Sequence, residues 1–345
     1  MALPQDEHHA EIRTALRDLL ARYDRASADS RPLWRDLAGL GLFALPVPAS
    51  RDGLGLGLTA SVRAFEDLGG ALAPGPLVWT QLAALARPDL ADGTTIVTGV
   101  DLTAVPEGDP VLVEHLPAAD LLLVLDAEGV TLVPRTALRH EELPRPLDPA
   151  TPMSRLHTGP PRDPRAAEDL VQVHPRDGDG PAVRPPRPPD ERLGGAELAG
   201  ELRDVGTLLS AAFLLGLADR AVTVAVEYAR QREQFGRPIG SFQAVKHLLA
   251  DAHVRTALAR AALYAAAETG TSPDLPAAHL LAARAAEANS RTAVQVLGGM
   301  GFTWETEPHL LLKRAWTLTS TFGHPEQHAL DLADDLLAEP TTEVA

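Results

Sequence analysis

From Glu7 to about Arg87 the apolar residues recur at three- and four-residue intervals: Ile12, Leu16, Leu19, Leu20 and Tyr23, then Leu33, Trp34, Leu37 and Leu40. That spacing lines one face of an α-helix, so the pattern predicts a helical N-terminal region. It breaks at "GLGLFALPVPASRDGLGLG", where glycines and prolines end helices and force a surface loop. A third helix is predicted from Leu58 to Leu72, before "APGP" turns the chain.

Between Gly93 and Val173 the period changes. "TTIVTGV", "PVLVEHL" and "DLLLVLDAEGVTLVP" are short apolar runs bounded by turn residues, which predicts strands, with a hairpin through Asp126 to Gly129. Prolines then crowd in, 14 of the 30 lying between Pro134 and Pro189. Proline cannot donate to a sheet ladder, so this stretch is predicted to be irregular or a linker, without central strands.

From Glu197 the helical period returns, predicting helices over Glu197–Arg230, Ser241–Glu268, Leu275–Leu297, Pro308–Thr319 and Pro325–Leu337. Ser241 and Asp274 are predicted N-caps, and Gly298, Gly299 and Gly301 a helix stop. The fold class is therefore α+β and mainly α. It comprises an N-terminal helical domain over residues 1–90, a small middle β domain with a Pro-rich end over 91–195, and a C-terminal four-helix bundle over 196–340. The apolar run Val205–Ala218 is short for a bilayer and predicts a buried helix.

The 31 basic and 47 acidic residues leave a net charge of −16, which opposes a nucleic-acid or anionic-membrane partner. The absence of cysteine excludes disulfides and thiol nucleophiles. No secretory leader is visible in "MALPQDEHHAEIR", so the expected location is cytoplasmic. The twelve histidines show no metal-ligand spacing, and Trp34, Trp79, Trp304 and Trp316 read as packing residues.

Two stretches could carry chemistry. In "RQREQFGRPIGSFQ", Arg232 ends a long helix just ahead of Phe235 and Gly236; its planar guanidinium suits phosphate, though arginines at a helix end are also ordinary solvated charges. In "QVLGGMG", three glycines within four residues can present backbone N–H groups to a phosphate, or form a plain C-cap.

Taken together, "RxxFG-x-P-I-x-x-F-Q" followed by "QxxGGxG" resembles the paired pattern of the acyl-CoA dehydrogenase family of flavoproteins, in the order of elements over nearly the whole chain. The resemblance implies FAD as cofactor, with its pyrophosphate and adenosine half bound across a dimer interface by Arg232, Phe235, Gln295 and Gly299, and with Gln234, Gln243 and Gly298 in support. It implies an acyl-CoA substrate oxidised to the 2,3-enoyl thioester, and an electron-transferring flavoprotein as acceptor.

The expected catalytic base is missing. Where most members carry a glutamate this chain has Phe322, in "STFGHP", and where a minority carry it on the first bundle helix this chain has Gly206. Glu326 and His324 are the nearby substitutes, and Glu326 reads first as a first-turn acid of the last helix. The family's flavin-ring segment is also absent; "LTAVPEGDP" is the nearest text in a shortened middle domain. The resemblance thus points to the smaller subunit of a heteromeric enzyme, similar to actinobacterial enzymes acting on sterol side chains. Two alternatives are a self-sufficient enzyme with a displaced base and a flavin-free structural or binding protein.

Overall fold

The computed structural model describes residues 4–23, 31–106, 108–157, 190–269 and 274–338. Four helices come first: α1 (Pro4–Arg22), α2 (Arg31–Gly39), α3 (Gly57–Gly70) and α4 (Leu77–Ala86). The predicted break between α2 and α3 is a loop holding two short 3₁₀ turns. Its Leu42, Phe43 and Leu45 are nevertheless buried, so it forms part of the core rather than a surface excursion. Arg13 of α1 makes two bonds to Asp67 of α3, at 2.6 and 2.9 Å.

Among the described residues seven strands follow: β1 (Val97–Asp101), β2 (Leu112–Glu114), β3 (Leu121–Leu125), β4 (Gly129–Pro134), β5 (His140–Glu142), β6 (Met153–Leu156) and β7 (Glu191–Gly195). They form a four-stranded sheet of order β1-β3-β4-β7 and a three-stranded sheet of order β2-β6-β5. The predicted hairpin joins β3 to β4. Asp126 accepts from the backbone of Glu128 and Gly129 at its turn.

The proline-rich stretch departs from expectation. β5 and β6 lie inside it, and β6 is the central strand of its sheet. No proline falls within either strand; Pro152 stops one residue short, which leaves the ladder donors of Met153–Leu156 intact. The remainder of that stretch, 158–189, lies outside the described residues.

The last part is helical: α5 (Ala196–Gln231), α6 (Gln243–Thr269), α7 (Asp274–Leu297), α8 (Pro308–Leu318) and α9 (Pro325–Ala338). Ser241 does not cap α6. It belongs to a 3₁₀ turn over Ile239–Ser241, and its buried hydroxyl has no partner among the described residues. Helix α5 spans 36 residues and is long and apolar enough to cross a membrane by composition, contrary to the estimate from Val205–Ala218. It is instead the core of the bundle, buried from Gly206 through Ala218 without interruption. Gly69 and Gly216 let α3 and α5 touch backbone to backbone. A Cβ on Gly69 would lie 2.0 Å from the Phe213 carbonyl oxygen, and one on Gly216 would lie 2.0 Å from that of Glu66.

Candidate functional site

The first motif folds into a small projecting hairpin. Arg232 caps α5 with its N–H on the Tyr228 carbonyl, and the strands β8 (Glu233–Gln234) and β9 (Arg237–Pro238) pair across Phe235 and Gly236. Both turn residues have positive φ, 53° and 75°, the geometry of a tight primed hairpin. Glycine adopts it freely, but phenylalanine does so against steric cost. The strained Phe235 ring is 92% exposed, with its edge toward Phe242 at 6.1 Å. Arg237 covers the other ring, 4.2 Å above Phe242. The Arg232 side chain is exposed and has no partner among the described residues. Gln234 bonds only the adjacent Glu233 carbonyl, and Gln243 opens α6 in an exposed position.

The second motif is equally open. Gln295, Gly298 and Gly299 are exposed, Gly298 has φ 62°, and a Cβ added to either glycine would meet nothing within 4 Å. Gly301 differs: it is buried, and its Cβ would lie 2.7 Å from the Val294 carbonyl oxygen, so it closes the turn.

The bonds at the helix ends set the directions. The Thr269 hydroxyl at the end of α6 bonds Asp274 at the start of α7, and the Ile239 N–H bonds the Arg232 carbonyl in the short turn between α5 and α6. Helix α6 thus runs against its neighbours, and the C-terminal ends of α5 and α7 share one end of the bundle. Both motifs are brought there. Exposed guanidinium, amides, aromatic ring and glycine backbone suit an anionic dinucleotide, so this half of the residue set fits FAD.

The two positions expected to hold a base are also brought together, and they close on each other. Phe322 is 4% exposed, and a Cβ on Gly206 would lie 2.3 Å from its ring. The opposite neighbour is Trp79 of α4, with ring centroids 4.6 Å apart. Trp79 in turn lies on β1, where a Cβ on Gly99 would come within 2.1 Å of the indole. Two glycines on separate elements therefore flank two aromatic rings in tilted contact, which fill the space between them. His328 of α9 bonds the Phe322 carbonyl oxygen at 3.1 Å and stacks edge-on against buried His279 at 5.0 Å. Burial lowers both imidazoles, His279 to about 3 with the neighbouring His328 adding to the effect.

Glu326 sits in the first turn of α9, exposed, along a surface groove with Arg284, Trp316 and His324 that Phe322 does not line. Trp304 and Trp316 are surface residues, Trp304 being 70% exposed, whereas Trp34 and Trp79 are the buried packing residues expected. Sequence reasoning missed the partnership of Trp79 with Phe322, for no local pattern links a helix in the first quarter of the chain to a loop near its end. It also missed a polar cluster bordered by Thr321: Arg314 of α8 in a buried ion pair with Asp148, donating to the Ala73 carbonyl oxygen at 2.9 Å, beside Glu114 and His115.

Family models for the N-terminal domain of acyl-CoA dehydrogenase match residues 4–95, and those for its C-terminal domain match residues 194–337. The chain is 30% identical over 314 residues to the acyl-CoA dehydrogenase IpdE2 of Mycobacterium tuberculosis, covering 89% of this chain and 87% of that protein. Its fold matches a chain of the ChsE4-ChsE5 complex from Mycobacterium tuberculosis with TM-score 0.75 and 24% identity, covering 99% of each. It also matches a glutaryl-CoA dehydrogenase from Mycobacterium smegmatis in complex with FADH2, with TM-score 0.76 and 16% identity over 99% of this chain and 96% of that one. The chain belongs to the acyl-CoA dehydrogenase family, a family of FAD-dependent oxidoreductases.

Proposed function

We propose that this chain is the non-catalytic member of a heteromeric acyl-CoA dehydrogenase. It lends the adenosine and pyrophosphate half of an FAD site to a partner of the same family, and that partner carries the base. A bound FAD would supply the hydride acceptor for 2,3-desaturation of an acyl-CoA thioester, and an electron-transferring flavoprotein would take up the electrons. Within this chain Arg232 would pair with the pyrophosphate, Gln234, Gln243 and Gln295 would bond ribose or adenine, Gly298 and Gly299 would offer backbone N–H groups, and Phe235 would pack on the cofactor. The cytoplasmic location belongs to the same proposal.

The observation that carries this reading is the contact of Phe322 with Gly206 and Trp79. It occupies both base positions with groups that cannot take a proton. Arg232, the C-cap of α5, lies 26 positions beyond Gly206 along that helix, about 39 Å away. An arm at that distance serves a neighbouring chain's flavin more readily than its own pocket.

Coexpression with an acyl-CoA dehydrogenase-like partner tests the proposal, through the stoichiometry of the complex and its flavin content. One flavin for each pair of unlike chains, with activity only in the complex, is the expected result. A yellow protein that turns over acyl-CoA by itself would favour the self-sufficient enzyme, with Glu326 as first suspect. A copurified complex devoid of FAD would favour the flavin-free reading.

A further inference from the structure

Helix α6 buries one side in the bundle and leaves a second apolar strip on the opposite side. Its inward residues, Ala252, Thr256, Ala259, Leu263 and Ala266, follow the four-three spacing of a buried strip. Half a turn away, Ala250, Val254, Ala257, Leu258, Ala261 and Ala265 repeat that spacing and are all exposed, Val254 at 54% and Leu258 at 57%. At about 1.5 Å per residue this outer strip runs about 22 Å along the helix.

The two arginines in that stretch do not interrupt it. Arg255 turns to Asn289 of α7 at 2.9 Å, and Arg260 turns to Glu66 of α3 and Asp219 of α5 at 2.9 and 3.0 Å. From Val254 to Ala265 the outermost side of the helix therefore shows solvent no charge, on a chain whose net charge is −16. A helix apolar on both sides is ordinarily covered on both, and this one is uncovered among the described residues. Its ends differ in sign. Lys246 and His247 lie in the first turns and Glu268 in the last, all exposed. An acid in the last turn meets the negative end of the helix dipole, so a cation brought to it from outside would relieve it.

We propose that the outer strip seats a second copy of this chain, the two α6 helices pairing antiparallel about a two-fold axis that passes between Ala257 and Leu258. A two-fold contact must be self-complementary, and this strip is. The register opposes Val254 of one copy to Ala261 of the other and Ala250 to Ala265, so that larger side chains meet smaller ones. The same register lays Glu268 of each copy beside Lys246 and His247 of the other. With alanine at most contact points the helix axes can approach to about 8 Å. The pairing does not rest on the flavin-sharing reading, since both halves of it belong to this chain.

The chain has no cysteine, so a single introduced thiol reports the contact without background. Under mild oxidation Ala257→Cys in the full chain should link two like chains, read as a doubled mass on a non-reducing gel. Next to the axis the two Cα atoms come within the disulfide range of about 4.4 to 6.8 Å. Ala265→Cys alone should stay single, its counterpart lying about 22 Å away along the axis, yet it should link to Ala250→Cys when the two variants are coexpressed. Leu258→Arg added to Ala257→Cys should cut the product roughly tenfold or more, because it buries an unpaired charge. No like-chain product from Ala257→Cys, equal product from Ala265→Cys alone, or a product that survives Leu258→Arg overturns the proposal. In a complex with an acyl-CoA dehydrogenase-like partner, release of the unlike chain by Leu258→Arg would assign the strip to that partner and overturn it as well. Failure to bind such a partner or FAD would break the flavin-sharing reading and leave the like-chain result standing.

Discussion

The two ends of α5 are treated in opposite ways. Near its start Gly206 is sealed under Phe322 and Trp79, while at its finish Arg232, Phe235 and the facing glycines of α7 stand open. Aromatic rings appear at both ends, yet one pair is packed to exclusion and the other is held outward at a backbone angle that phenylalanine avoids. Family motifs persist where the chain faces outward, and the two positions expected to carry a base are packed as core. The contrast separates residues packed within the chain from residues left open to solvent.

The comparison predicts a double dissociation. Phe322→Ala removes a buried ring and should lower the unfolding free energy by about 3–5 kcal/mol, seen in denaturant or thermal melts. Flavin content and chemical step in a complex with the partner chain should change little; loss of the step by orders of magnitude would mean that the Phe322 segment is catalytic. Arg232→Ala should do the reverse. Loss of a charge-assisted phosphate contact worth about 1.5–3 kcal/mol should weaken FAD retention roughly ten- to a hundredfold, while the melt of the chain alone stays within about 0.5 kcal/mol. Unchanged FAD content in that variant would count heavily against the arm.

A smaller effect is expected where the seal is overfilled. Gly206→Ala places a methyl against the Phe322 ring and should cost about 1–3 kcal/mol, and Gly206→Ala combined with Phe322→Ala should cost less than the two changes added together. Last, burial lowers His279 and His328 below their unfolded value of about 6.5. The unfolded chain therefore binds more protons below that pH. The resulting loss of stability should begin as pH falls through about 6.5 and grow with further acidification. His279→Leu should flatten this acid limb in thermal melts; an unaltered limb would mean that the His279–His328 pair does not contribute to it.

Much of the architecture was legible in the chain itself. The helices of the last third start and stop within two residues of the periodicity, because Gly298, Pro308 and Pro325 punctuate them locally. The β3–β4 hairpin was legible for the same reason, its Asp-containing turn satisfying its own backbone. Ser241 and β6 were not. A preceding 3₁₀ turn took the serine's place in the cap, and a four-residue strand between prolines carries too short a pattern to read. The exposure of Trp304 and the burial of Phe43 likewise depend on neighbours far along the chain.

What the sequence by itself determined is the family, the helical periods and the identity of the groups that could meet a dinucleotide, since each rests on a few adjacent residues and their local chemistry. Only the tertiary structure decided the surroundings of the positions where a base is expected. Phe322 could have lined a cleft or pointed to solvent; it fills the space over Gly206 because Trp79, 243 residues earlier, is seated on Gly99 of β1 and meets its ring there. Close packing is a property of surfaces brought together, and no stretch of sequence contains both sides of this contact.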